Sequence, residues 1–279
     1  MRGPRAERLR GKVVLITGGA QGIGGCLARQ LVDYGCRVAI LDRDITTAQH
    51  LVGELGSAAA AFDADVTSAE SMQTACAAAA DHFGGVDVVV ANAGIAGPGA
   101  TIEAVDPAAW RRVIDVNLVG VFHTVAAGLP YVRRRRGYIM AVASLGAVIP
   151  GPTVSGYMAS KAGVESLVRS LRVELAGSGV KAGTAYFGLI DTGLAASMVA
   201  DSGLGVVLAK TPAGVGKPIP VERAATAIAA GISRRARRAY APGWVSLVLD
   251  LRVPFAVTDR LLAMSPSVRR VVRDAKALT

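Results

Sequence analysis

Short apolar, β-branched runs alternate with helical stretches along this chain, and that alternation constrains its fold more than any other feature. Lys12-Val-Val-Leu-Ile-Thr17 is such a run, as expected for a strand buried on both faces. Arg37–Asp42 and residues 58–62, 86–91, 138–143 and 180–187 repeat the pattern, and Ala239–Ala241 is a last short strand. The intervening segments, 24–34, 44–55, 68–82, 107–132, 157–176 and 221–232, have helical spacing. Gly35 and the pair Gly84-Gly85 close two of these helices. Strands and helices alternating at this interval predict βαβ units and a parallel sheet. Right-handed crossovers then place helices on both faces.

Hydrophobic residues make up 52% of the 279 and aromatics only 5%. Such a chain has an ample core of small side chains and is not a disordered one. Residues 1–11 are expected to be a flexible arm, 12–243 a single domain, and 244–279 a C-terminal amphipathic extension. The stretch 192–220, rich in glycine, is expected to be a mobile insertion covering a site. Cys26, Cys36 and Cys76 show no paired or metal-type spacing, which suits a reducing, cytoplasmic setting. His50, His82 and His123 are scattered, and no metal site is expected. The start lacks the apolar stretch of a signal peptide, and no run of 18 apolar residues predicts a spanning helix.

The net charge of +10 is concentrated at Arg133–Arg136 and Arg234–Arg238. Neither run has interleaved aromatics or a nucleic-acid motif, so no nucleic-acid partner is expected and solvated helix ends are. In the extension, Trp244, Val245, Leu247 and Leu249 lead to a break at Pro254. A basic amphipathic stretch with Arg269, Arg270, Arg273 and Lys276 follows Ser265-Pro266. A cover for a pocket or partner subunit is one reading of it; peripheral contact with a membrane surface is the other.

Between the first strand and the first long helix lies Gly18-x-x-x-Gly22-x-Gly24. Glycines there let the backbone approach a pyrophosphate, and the helix N-terminus supplies free N–H groups and a positive dipole. Asp42 ends the second strand, where a carboxylate can accept both adenosine ribose hydroxyls and repel a 2′-phosphate. The turn offers Gln21 and no cation to offset that repulsion, so NAD is expected over NADP. Arg43, directly after Asp42, is the group that could reach a phosphate instead.

Tyr157 and Lys161 stand at i and i+4 of one helix and share a face. A tyrosine with an ordinary pKa of about 10 is a poor base at neutral pH. A neighbouring cation is expected to lower that value and let the phenol trade a proton with an alcohol.

Thr17-Gly-x-x-x-Gly-Ile-Gly24, Asn92-Ala-Gly94, Asn117, Ser144 and Tyr157-x-x-x-Lys161 together resemble the short-chain dehydrogenase/reductase family, over residues from about 10 to about 245. The resemblance implies a Rossmann-type, doubly wound α/β fold with about seven parallel strands. It implies a homodimer or homotetramer packed through helices near 107–132 and 155–176. It places the nucleotide on Gly18, Gln21, Gly22, Ile23 and Gly24, with Asp65 and Val66 at the adenine. Asn92, Ala93 and Gly94 would hold the adenosine-side ribose region. Gly188, Ile190 and Thr192 would line the nicotinamide end, and Lys161 would bind its ribose. Ser144 would donate to the substrate oxygen, and Asn117 would hold a water linking Lys161 to solvent. Phe187-Gly188 departs from the family's usual Pro-Gly.

Ala147, Val148, Ile149, Leu194, Met198 and Leu204 are apolar, so a hydrophobic alcohol or ketone is expected. Lipid, steroid and retinoid alcohols are substrates of that kind in the family. The alternative is a non-catalytic nucleotide-sensing or membrane-surface protein on the same fold. The presence of both Tyr157 and Lys161 opposes it.

Overall fold

The computed structural model describes residues 4–202 and 216–251, together with Pro266 and Arg270. Leu204, the break at Pro254 and the basic stretch beyond it, Arg270 apart, lie outside the described residues. In order, the elements are α1 (Pro4–Leu9), β1 (Val13–Thr17), α2 (Gly22–Asp33), β2 (Arg37–Asp42), α3 (Ile45–Leu55) and β3 (Ala59–Asp63). Then come α4 (Ala69–Phe83), β4 (Val88–Ala91), α5 (Pro107–Ile114), a π-turn (Asp115–Val119), α6 (Gly120–Arg134) and β5 (Tyr138–Val142). The chain continues through α7 (Ser155–Glu174), β6 (Lys181–Phe187), α8 (Gly193–Ser202), α9 (Val221–Arg234), β7 (Arg238–Ala241) and α10 (Val245–Asp250).

The seven strands form one sheet in the order β3-β2-β1-β4-β5-β6-β7, and every pairing is parallel. β1 shows how the sheet divides the core. Successive side chains on a strand point to opposite faces. Val13 and Leu15 join Met72, Cys76 and Phe83 of α4, Val121 and Val125 of α6, and Val164 and Val168 of α7. Val14 and Ile16 join Leu27 and Leu31 of α2, Leu51 of α3, and Ile228 and Ile232 of α9. The chain is therefore a doubly wound α/β fold, and all strand C-termini share one rim. Helix starts are set locally: Asp44, Ser68 and Asp106 each accept a backbone N–H in the first turn of α3, α4 and α5.

Five expectations change. Residues 4–9 are helical, and Ala6 and Leu9 are buried, where a flexible arm was expected through residue 11. The helix expected over 107–132 is interrupted by the π-turn. The insertion expected from 192 begins as α8, whose Ala195 and Met198 are buried. The extension starts inside the core, because Val245 and Leu249 pack with the α4–α6–α7 face. Pro107–Arg134 is apolar and long enough to span a bilayer by composition, where none was expected, yet half of its most apolar window is buried in the fold.

Candidate active site

The strand C-termini open into a cavity of about 990 Å³. At one end is the turn after β1. Gly18 has φ +61° and lies against Ala93, and a Cβ on Gly24 would meet the Gly18 carbonyl at 2.2 Å. Only glycine lets α2 approach that closely, so Gly24 does not line the cavity: it sets the helix behind the turn. Gly18, Gln21, Gly22 and Ile23 do line it. A Cβ on Gly22 would project toward Thr192 across the gap, 3.9 Å from its methyl group. The Asp42 carboxylate accepts from Ala20 N at 3.0 Å and Asp44 N at 3.1 Å, which fixes it at the cavity wall.

Beyond Asp42 are Arg43, Asp65, Val66 and Arg112. Asp65 accepts from the backbone and hydroxyl of Thr67, and these bonds first, with Arg43 and Arg112 as lesser causes, hold its carboxyl below the usual range. Asn92 straps β4 to β1. Its N–H donates to Thr17 Oγ1 at 3.1 Å, and its Nδ2 donates to the carbonyls of Thr17 and Gly18 at 3.0 Å.

At the other end, β5 and α7 bring Ser144, Tyr157 and Lys161 together. Ser144 Oγ caps the turn Leu145–Ala147 by accepting from Gly146 N at 3.1 Å. Its hydroxyl donates to the Phe187 carbonyl at 3.5 Å, and it stands near enough to the Tyr157 phenol to act on its pKa. Lys161, 4% exposed, donates to the Val142 carbonyl at 2.9 Å and lies 5.6 Å from the centre of the Tyr157 ring. This differs from the expected pairing. A buried ammonium takes the nearest strong acceptor, here the end of β5, and so sits over the ring face. Burial pushes the Tyr157 phenol up, with the Ser144 hydroxyl acting against it. Burial brings Lys161 down to about 8. A cation lowering the tyrosine was the expectation; desolvation is the stronger influence.

Asn117 sits in the π-turn, fully buried, and does not line the cavity. Its Oδ1 accepts from Ile95 N at 2.8 Å, and its Nδ2 donates to Ile95 O at 2.9 Å and Ser160 Oγ at 3.2 Å. Asn117 Oδ1 and Lys161 Nζ flank Gly94, at 3.2 and 3.6 Å from where its Cβ would be.

After β6, Phe187 is buried and the turn is held without proline. Gly188 N donates to Ala241 O at 3.0 Å, Asp191 N to Ile219 O at 2.9 Å, and Ile219 N to Leu189 O at 3.0 Å. Gly188, Ile190 and Thr192 line the cavity. Ile149, Leu194 and Met198 line it as expected, but Ala147 and Val148 pack toward the core, because the turn at Leu145–Ala147 carries them away. Pro150 and Pro152, in the stretch after Ser144, also line it, as do Met158 and Phe187, which were not expected. Trp244 and Val248 line it too, in keeping with the reading of the extension as a pocket cover. Among the described residues no group of three His, Cys, Asp or Glu could hold a metal ion.

Residues 12–203 match the family model described as short chain dehydrogenase. Cis-4-hydroxycyclohexanecarboxylate dehydrogenase of Sinomonas cyclohexanicum is 37% identical over 70% of this chain and 80% of its own length. (+)-Borneol dehydrogenase 1 of Salvia officinalis is 36% identical over 68% of this chain and 74% of its own. Among solved structures, the 3-ketoacyl-(acyl-carrier-protein) reductase of Brucella melitensis, complexed with NADH, superposes with a TM-score of 0.75. It is 30% identical, and the match covers 84% of this chain and 97% of that one.

Proposed function

The chain belongs to the short-chain dehydrogenase family, and from that premise we propose that it interconverts a hydrophobic alcohol and its carbonyl with NAD(H) as cofactor. The observation that carries this is the meeting of Ser144, Tyr157 and Lys161 at the end of the cavity opposite Asp42. The glycine turn, with its gap between Gly22 and Thr192, fits a dinucleotide, and when bound the nicotinamide accepts or supplies a hydride. In alcohol oxidation Tyr157 takes the hydroxyl proton while the hydride leaves the same carbon. In reduction the phenol returns that proton to the oxygen. Ser144, whose hydroxyl makes a long bond to the Phe187 carbonyl, turns to donate to the substrate oxygen and holds its developing charge. Lys161 carries a charge to the ribose and to the phenol, and Asn117 beside it positions a water toward solvent.

NAD is favoured because Asp42 is anchored by two backbone amides and cannot swing away from a 2′-phosphate. Asp65 lies within the electrostatic reach of Arg43 and Arg112 and offsets part of their charge, which supports the same preference. Apolar walls at Ile149, Met158, Leu194, Met198 and Trp244 favour a hydrophobic ring or chain. The two relatives' names, a substituted cyclohexanol and a terpene alcohol, agree with that class. Exposed Phe122 on α6 and Val173 on α7 support a homo-oligomer packed through those helices. Three free thiols suit a cytoplasmic setting.

The test is a panel of cyclic, terpene and steroid alcohols, with polar hydroxy acids as controls, read as reduced-cofactor absorbance with NAD and NADP. Turnover of apolar alcohols with a higher kcat/KM for NAD is expected, and Asp42→Ala should narrow the cofactor ratio by roughly 10-fold or more. Turnover confined to the hydroxy acids, or none with either cofactor, would overturn the reading.

A further inference from the structure

The two arginine runs, far apart in sequence, are joined in the fold. Arg235, in the turn before β7, donates through Nη2 to the carbonyls of Arg136, Gly137 and Gly179 at 2.6–2.7 Å. That single side chain ties the turns before β5, β6 and β7 into one rim at the strand N-termini, across the sheet from the cavity. The rim exposes Arg133–Arg136, Lys181, Arg234, Arg235, Arg237 and Arg238. The carboxylates at this end include Glu174, closing α7, Asp250, which pairs with Arg238, and Asp87, beside Gly137, which pairs with Lys12. Arg133, Arg136, Arg234 and Arg237 make no ion pair among the described residues.

Helix C-termini attract cations through the helix dipole, but that effect is confined to the last turn. It accounts for Arg133 and Arg134 in the last turn of α6 and for Arg234 in that of α9, and not for Arg135, Arg136, Arg235, Arg237 and Arg238 beyond them. Both turns also place an arginine in the left-handed region, Arg136 at φ 48° and Arg235 at φ 51°, where glycine is the easier residue. Like charges gathered this densely are relieved by an anionic surface.

The rim continues into apolar side chains. The Arg238–Asp250 pair holds the end of α10 beside β7. Leu247 and Leu251, i and i+4 on one face, are 59% and 42% exposed, and Tyr240 on the edge strand is 41% exposed. The sequence that follows, 252–279, carries six Lys or Arg against two Asp. Guanidinium groups edged by leucine suit phosphate headgroups over acyl chains. Single-stranded nucleic acid would call for several aromatics free to stack, whereas Tyr131 is covered by Arg134 at 5.7 Å and Tyr240 is the one exposed aromatic on this rim among the described residues.

We propose that this rim, built from the turns before β5, β6 and β7 and extended by Tyr240, Leu247 and Leu251, docks the protein on an anionic phospholipid surface. The cavity mouth then faces away from the bilayer. This does not depend on the proposed activity, because the rim contains none of the residues that line the cavity.

The experiment is sedimentation of the full chain with vesicles of phosphatidylcholine alone and of phosphatidylcholine with phosphatidylserine. Binding to the mixed vesicles only is expected, and it should be lost at about 1 M salt, where the Debye length is roughly 3 Å. A variant with Arg133→Gln, Arg134→Gln, Arg136→Gln and Arg237→Gln leaves Arg235 in place. It should partition on the order of 100-fold less, at several-fold per charge, with alcohol turnover unchanged. Equal binding to neutral vesicles, no binding to mixed vesicles at low salt, or undiminished binding by the folded variant would overturn the proposal. So would tight binding of single-stranded DNA by a chain that ignores the vesicles. If the variant does not fold, salt dependence of the unaltered chain decides.

Discussion

Lys161 carries a charge at a depth where charge is disfavoured, with one backbone carbonyl as its hydrogen-bond partner. Its pKa in the fold is about 8 against 10.5 unfolded. Below pH 8 both states are protonated and the full burial cost, about 3 kcal/mol at 1.36 kcal/mol per unit, opposes folding. Between 8 and 10.5 the unfolded chain binds more protons, so stability rises with pH. Lys161→Met, without cofactor, should therefore be more stable than the parent at pH 7, by about 1–3 kcal/mol, and the gap should narrow by about 2 kcal/mol by pH 9.5. Melting temperatures at the two pH values check this; a gap that does not change with pH would remove the explanation. Burial favours the neutral form of Tyr157 as well, which for a phenol raises the pKa. Oxidation needs the phenolate, so alcohol turnover should climb as pH rises through the alkaline range while carbonyl reduction does not. Tyr157→Phe should cost about 10²–10⁴-fold in kcat in both directions, with the NADH dissociation constant within a few-fold. Near-normal turnover in a folded variant would end its assignment as acid/base.

At the scale of elements, two glycines in helices behave oppositely. Gly24, in the first turn of α2, has the Gly18 carbonyl 2.2 Å from its would-be Cβ and Asn92 Nδ2 at 2.8 Å. Gly24→Ala must push α2 off the turn. It should lower stability by about 1–3 kcal/mol and weaken NADH binding at least 10-fold in titration. Gly53, exposed in α3, has nothing within 4 Å. Gly53→Ala should raise stability by about 0.5–1 kcal/mol and leave NADH binding alone. If both variants bind NADH like the parent, the close approach at Gly24 is not what shapes the site. The strands of the sheet were legible in the sequence because both their faces are buried, which leaves continuous apolar runs such as Val13–Thr17. The π-turn at Asp115–Val119 was not, because its residues keep the apolar spacing of the flanking helices. Nor was α1, whose two buried anchors, Ala6 and Leu9, stand among arginines. The i, i+4 spacing exposed Tyr157 and Lys161, but the acceptor Lys161 chooses is a carbonyl of β5, fixed only once α7 packs on the sheet.

Across the whole molecule, the parallel sheet gathers residues from Gly18 to Val248 at one rim and the basic turns at the other. Neither gathering is visible in linear order, and the second least of all, because a run of arginines looks the same whether or not another faces it. The same ordering decides where the chain's end begins to be dispensable. The extension was expected to start at Trp244, but Val245 is fully buried and Leu249 is 3% exposed, and both belong to the core. Trp244 and Val248, each the residue before one of them, stand on the cavity wall. A chain ending after Leu251 keeps all four, together with every cavity-lining residue among those described. It should bind NADH within a few-fold of the full chain, with any change confined to the KM for apolar alcohols or to the oligomeric state. A chain ending before Trp244 loses the burial of Val245 and Leu249, worth about 1.5–3 kcal/mol each, and leaves the cavity open on that side. It should melt far lower and accept apolar alcohols with a much raised KM. Calorimetry and NADH titration of the two truncations separate these outcomes. Equal melting temperatures would show that α10 is not part of the core. A folded 1–251 chain that has lost NADH would show that the segment beyond Leu251 reaches the nucleotide.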